Sequence, residues 1–346
     1  MTRRRGPLGL GLLLLGVLLV TMAVAATIGS VNLPLGTVVD VVLRRLGVIE
    51  GADVTLLQDR IVWQLRMPRV LGAAATGAAL ALAGAVLQSL TRNDLADPYL
   101  LGLSGGAAVG AVTVIVLGVG VAGLVGSSMI AVGAFVGAMG ALLLVLTLAT
   151  GRSGDLPPAR TVLAGVAIAQ ICAAYTSFIV IMSGDHDAAR RVLSWTLGSL
   201  ADIRWTTALV LATVAFGALV AIMFFASDLD AFAFGESAAT SLGVPITAVR
   251  WSLLVGTALV TATLVSFTGA IGFVGLVIPH VIRLLCGPLH HRLLPLSALA
   301  GAVLLVWADT AARSLVAGQE VPVGVVTAVI GAPVFAFLLR REARTR

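Results

Sequence analysis

Arg66 and Arg69 stand three residues apart, Asp309 and Arg313 four apart, and Pro279, His280 and Arg283 interrupt an otherwise apolar stretch. Each group could do chemistry. A guanidinium is a planar fork that matches a carboxylate. An aspartate within an apolar helix is the kind of residue that carries a coupling ion in a secondary transporter, and Asp309 is the best placed for that, although it lies near a helix end with Arg313 at i+4. His280 and Arg283 could relay a proton or hold a metal. Their place at the end of a short helix suits capping of its carbonyl terminus instead.

Other chemistries are disfavoured or excluded. The histidines are His186, His280, His290 and His291, and none forms HExxH or a sequence-local cluster with carboxylates, which disfavours a membrane hydrolase. Cys172 and Cys286 lie in apolar stretches without disulfide or metal-ligand spacing and read as small buried residues. All 22 basic residues are arginine. A phosphate loop of the Walker A type needs a lysine, so this chain is not a P-loop ATPase.

The elements that must position these residues are membrane helices. Of the 346 residues, 59% are hydrophobic and 11% charged. A soluble domain carries roughly 25% charged residues, so a soluble enzyme and a disordered chain are both excluded. The net charge of +6 is dispersed between apolar runs, which argues against a nucleic-acid surface. Uncharged runs cover 8–28, 70–91, 99–151, 161–184, 205–227, 251–279 and 321–339, and a further run from 293 extends past Asp309. The 99–151 run predicts two helices with a turn in the glycine-rich stretch 118–128. The 251–279 run predicts one helix to about Ser266, a break at 269–275, and a second short helix. The result is an all-α polytopic membrane protein of about ten transmembrane helices.

Residues 1–346 read as a single transmembrane domain. Its first helix, about 8–28, is longer than a signal-peptide core and is expected to stay uncleaved. Between spans, 29–69 reads as a long outside loop with an amphipathic piece at 37–46. Residues 185–204 read as a short surface helix carrying Trp195, and 228–245 as an inside amphipathic segment. With an inside N-terminus, 13 of the 22 arginines fall on inside segments, among them Arg3, Arg4, Arg5, Arg152 and Arg346, so both termini are expected in the cytoplasm.

Three stretches carry a family resemblance: RMPRVLGAAATGAALALAGAVLQSLTRNDLADPYLLGLSGGAAVG at 66–110, GAIGFVGLVIPHVIR at 269–283, and the pair LPLSALAGAVLLVWADTAAR and VPVGVVTAVIGAPVFAFLL near the end. Together they closely resemble the FecCD-type permease family over about residues 60–340. Its members are membrane subunits of ABC importers for ferric siderophores, haem and cobalamin.

The resemblance implies a type II ABC importer permease fold and a bacterial cytoplasmic membrane. It implies a second permease subunit, two ATPase subunits below, and an extracytoplasmic binding protein above. It implies no cofactor in this chain, with ATP and Mg on the ATPase partners. It implies that Arg66, Arg69 and Arg313 face acidic residues of the binding protein, where opposite charges would set register. The inside segment around Gly235, Glu236, Ala239, Leu242 and Gly243 is similar to the family's ATPase-coupling segment, with a glycine helix stop expected at Gly243. Asn93, Leu95, Pro158 and Ala159 fall at the family's cytoplasmic gate. The turn at 92–98 carries Asp94 where the family usually has proline, which changes how the turn is held. Trp195 with Gly198, Ser199 and Leu200 matches an outer-surface packing motif. An iron–siderophore chelate is the first expectation for the cargo, with cobalamin or haem as the alternative.

Overall fold

The computed structural model describes residues 7–29, 31–50, 54–118, 126–151, 154–316 and 318–345. Arg3, Arg4, Arg5, Arg152 and Arg346 lie outside the described residues, as do residues 119–125 of the expected glycine-rich turn. Among the described residues the chain is helical, with one isolated bridge between Val316 and Gln319.

In chain order, α1 is Pro7–Thr27, α2 Leu35–Arg45 and α3 Leu56–Asp59, followed by a π-helical segment Arg60–Arg66 and α4, Met67–Thr91. A 3-10 turn at Pro98–Leu101 leads to α5, Leu103–Leu117. Then follow α6 (Ser127–Ala149), α7 (Pro158–Ser183), α8 (His186–Thr196) and α9 (Trp205–Met223). Two short helices, α10 (Ala226–Phe232) and α11 (Glu236–Ser241), precede α12 (Ile246–Thr268), α13 (Val274–Cys286), α14 (His290–Ala312) and α15 (Val323–Thr345). Among the described residues, seven helices are long and apolar enough to cross a membrane, and α5, α13 and the first part of α15 are shorter apolar ones.

The expected breaks at 118–128 and 269–275 separate α5 from α6 and α12 from α13. The expected outside loop is shorter than the sequence suggested. Helix runs without interruption from Leu56 to Thr91, so residues 56–69 are helical. The polar residues Gln58, Asp59, Arg60, Gln64 and Arg66 hid this end from a hydropathy reading. Thr55 starts the helix with a reciprocal capping box to Gln58.

Pro68 explains the π-helical segment. It lacks the N–H that would continue the ladder, and the Met67 N–H reaches back five residues to the Val62 carbonyl. The Trp63 carbonyl is thereby released, and the Trp205 indole N–H donates to it at 2.7 Å. The two indole rings pack with centroids 4.8 Å apart, tying the start of α9 to this turn.

The central helix is α4, which packs against α14, α9, α13 and α12 and is buried along most of its length. Glycine allows the closest approaches. A β-carbon at Gly77 would lie 2.2 Å from the Gly301 carbonyl oxygen of α14, and one at Gly84 would lie 1.9 Å from that of Gly275 in α13. Small residues permit such backbone crossings where lipid offers no hydrophobic drive between helices. Around this axis, α1 and α7 keep mostly exposed apolar faces, such as Leu12, Leu19, Ile171 and Ile181, suited to lipid or another apolar partner. Of the two thiols, Cys172 is buried, while Cys286 is only partly so.

Candidate functional site

The two ends of the bundle carry different polar clusters. At the first end, α1 finishes, α4 begins and α14 finishes. Arg66, Arg69 and Arg313 converge there, although up to 247 positions separate them in sequence. They line one cavity of about 930 Å³ with Arg204, Gln319 and Glu320.

All three guanidiniums are already engaged within the chain. Arg66 is buried. Its Nη1 donates to the Ala26 and Thr27 carbonyls at 2.8 Å each, and its Nη2 to that of Val31. Arg313 Nη2 donates to the Ala25 carbonyl at 2.6 Å. These carbonyls belong to the last turn of α1 and the chain just beyond it, where a helix leaves acceptors unsatisfied and its dipole favours cations. Two arginines from distant segments therefore cap α1, which makes this helix an integral part of the cluster.

Arg69 lies between two carboxylates. On its inner side, Nε and Nη2 contact Asp309 at 2.9–3.0 Å. On its outer side, Nη1 contacts both oxygens of Glu320 at 2.9 and 3.1 Å. Asp309 is 1% exposed and also lies 3.6 Å from Arg313 Nε, an i+4 ion pair. Held between two arginines, Asp309 is a structural counter-ion. The Glu320 side chain is 50% exposed, on the loop after α14. Arg204, at the N-cap of α9, is exposed. Sequence reasoning missed Glu320 and Arg204, because neither lies inside a recognisable motif.

At the second end lie the residues that the family resemblance gave as coupling and gate positions. Gly235 (φ 97°) opens α11 and Gly243 (φ 87°) closes it. The Gly243 N–H donates to the Thr240 carbonyl and the Val244 N–H to that of Ala239, which is the Schellman stop expected at Gly243. Ala239 is buried and Leu242 exposed, so the segment shows an apolar residue to whatever lies below. Glu236 forms a 2.7 Å ion pair with Arg250 of α12.

The four gate residues do not share one cavity. Asn93 and Leu95 are exposed on the turn after α4, where Asn93 Oδ1 accepts the Leu95 N–H at 2.9 Å. They line a cavity of about 440 Å³ with Ser89, Asp94, Arg283 and His290. Pro158 starts α7 and lines a separate small apolar cavity with Leu90, Ala96 and Arg250, while Ala159 is exposed.

Asp94 is held by an ion pair with Arg283, and Arg283 Nη2 donates to Gln88 Oε1 at 3.2 Å. His280 Nδ1 is 3.9 Å from Asp94. The expectation that His280 and Arg283 only cap their own helix is corrected: both turn toward the α4 turn, because a carboxylate stands there.

A further constellation was invisible in the sequence. His290 Nδ1 donates to Asp230 Oδ1 at 2.6 Å, and its Nε2 faces Ser89 Oγ at 2.6 Å. The three residues come from α14, α10 and α4, and no local spacing could have announced them.

A model of the FecCD transport family matches residues 17–341. The chain belongs to the FecCD transport family. The cobalamin import system permease protein BtuC of Halobacterium salinarum is 40% identical, over 95% of each chain. The vitamin B12 import system permease protein BtuC of Salmonella paratyphi A is 42% identical over 83% of this chain and 85% of its own. Among solved structures, an inward-facing metal-chelate-type ABC transporter superposes with a TM-score of 0.82 at 28% identity, over 96% of this chain and 98% of the other. The all-helical FecCD permease fold expected from the motifs is the fold observed.

Proposed function

We propose that this chain is the permease subunit of a binding-protein-dependent ABC importer whose cargo is a cobalamin-class chelate. The supporting observation is the 40% identity, over nearly the whole of both chains, with a protein named as a cobalamin import permease. A second relative carries the equivalent name. The order of cargo read from the motifs, siderophore first and cobalamin second, is thereby reversed.

In this reading both termini are cytoplasmic and the membrane is the bacterial cytoplasmic one. The Arg66 end is the outer face and the His290 end the inner. Transport runs by alternating access at the interface with a second permease subunit. ATP and Mg are held by two ATPase subunits, which grip α10, α11 and the Gly243 stop as a helix in a groove. The binding protein docks over the arginine cluster. Arg204 stands exposed for it, while Arg69 becomes available as an acidic lobe takes the place of Glu320. Long-range attraction to the surplus of arginine there speeds encounter. The turns at Asn93–Leu95 and Pro158–Ala159 close the inner end.

The test is to purify the tagged chain from its native membrane in mild detergent, then reconstitute the complex with its binding protein. ATP-dependent uptake of cyanocobalamin, with a ferric siderophore as competitor, reads the cargo. Copurified ATPase and cobalamin uptake that the siderophore does not compete away are expected. Uptake without any ATPase, or uptake of the siderophore alone, would overturn the reading.

A further inference from the structure

The coupling segment touches the rest of the chain through two polar branches, and the branches lead to different gate turns. The first starts at Asp230 in α10. Its Oδ1 accepts the backbone N–H of His290 at 2.8 Å and the ring Nδ1–H at 2.6 Å. A carboxylate only accepts, so this contact fixes Nδ1 as the protonated nitrogen. His290 Nε2, the unprotonated nitrogen, then accepts from the Ser89 hydroxyl at 2.6 Å; the Ala85 carbonyl one turn back lies 2.9 Å from the same Oγ, so the single hydroxyl proton is shared between the two acceptors. Ser89 lies in the last turn of α4. The Asn93 N–H closes that helix on the Gln88 carbonyl at 3.1 Å, and Asn93 in turn holds Leu95. This branch therefore ends at the first gate turn.

The second branch starts at Glu236 in α11, which pairs with Arg250 Nη2 at 2.7 Å. Arg250 lies 5.7 Å above the Phe232 ring of α10, so the same guanidinium holds both coupling helices. Its Nη1 donates to the Leu156 carbonyl at 3.4 Å, two residues before Pro158. The adjacent Trp251 indole donates to the Gly154 carbonyl of the same loop at 3.0 Å. This branch ends at the second gate turn. Arg250 Nε is buried without a hydrogen bond, so the guanidinium is not saturated where it stands.

We propose that these branches, Asp230–His290–Ser89 and Glu236–Arg250–Leu156, separately transmit movement of the coupling segment to the Asn93–Leu95 turn and to the Pro158–Ala159 turn. Ser89, His290, Asp230 and Arg250 are positioning residues, acting on cargo only through the turns they hold. Coupling across a protein needs a contiguous physical link between elements that move. Here each link is a run of hydrogen bonds beside the apolar contacts by which Leu229 and Phe232 of α10 join the core of α4 and α14. The inference rests on the permease reading above.

The test uses the full complex with Cys172 and Cys286 replaced by alanine and one reporter cysteine, Leu95→Cys, which keeps the backbone N–H that Asn93 holds, or Ala159→Cys. Labelling by an aqueous maleimide is followed with and without ATP and vanadate. Ser89→Ala is expected to reduce the nucleotide-dependent change at position 95 about fivefold, roughly the effect of one net hydrogen bond on an equilibrium, and to leave position 159 responsive. Glu236→Gln is expected to do the reverse. Ser89→Thr, which keeps a hydroxyl, restores the response at 95. Equal loss at both reporters, or no change at either, overturns the two-branch assignment. A parent complex that lacks ATPase refutes the permease reading instead, so the two failures are distinguishable.

Discussion

The cluster around Arg69 and the cluster around His290 use similar residues in different ways. At the Arg66 end, Asp309 is enclosed by Arg69 and Arg313, Arg66 and Arg313 donate to the end of α1, and the exposed Glu320 closes the outer side. Buried charges there have several partners each, as burial requires. At the His290 end the links are serial: one oxygen, one ring and one hydroxyl join three helices, beside a cavity of about 440 Å³. A multiply braced cluster resists displacement. A serial chain can transmit it, because losing one bond disconnects the rest. The cluster at the Arg66 end therefore reads as a rigid platform and the one at the His290 end as a linkage.

The sharpest way to break that comparison is Asp309→Ala. It leaves Arg69 and Arg313 buried beside one another without their common counter-ion, and roughly 3–5 kcal/mol of stability should be lost. A collapse in detergent melting temperature and yield is expected; near-normal melting would show that the cluster is not braced as described. Arg66→Met comes next. Removing a charged donor from the end of α1 should cost about 2–3 kcal/mol and loosen α1 from α14, read by protease sensitivity near residue 30. An unchanged cleavage pattern would count against the capping role.

Gly243→Pro tests the other end. Proline holds φ near −65°, whereas Gly243 sits at +87°, so the Schellman stop cannot form. The chain should still insert and melt within a few degrees of the parent, while binding-protein-stimulated uptake is abolished. Preserved uptake would remove α11 from the coupling role. The smallest effect on stability is expected from Glu320→Gln, since a half-exposed ion pair contributes only about 0–1 kcal/mol. Its consequence should appear in docking: freeing Arg69 of its internal competitor should raise affinity for the binding protein by a few-fold, more at low salt than at high. A drop in affinity would mean that Glu320 itself contacts the partner.

How much of this was legible from residues alone differs between the clusters. Arg66, Arg69 and Arg313 stand in recognisable motifs and were singled out. Their partners, Glu320 and the α1 carbonyls, were not, since a backbone acceptor has no signature in sequence. Gly243 as a helix stop followed from residue type and place. Asp94 was noticed as a departure from the family pattern, but its role as the partner of Arg283 required α4 and α13 to lie side by side. The Ser89–His290–Asp230 chain left no trace at all, because the 60 positions from Asp230 to His290 and the 201 from Ser89 to His290 carry no periodicity.

The sequence by itself determined that this is a polytopic membrane protein without its own phosphate loop. Its motifs also marked the family and the positions of its breaks and stops. Those properties depend on composition and on near neighbours along the chain: apolar run length, the missing lysine, proline and glycine placement. Only the tertiary structure decided which charges are free and which are neutralised within the chain. In a membrane protein the ends of helices remote in sequence meet at the same surface, and the low polarity between them favours pairing of the charges buried there, as Arg69 pairs with Asp309.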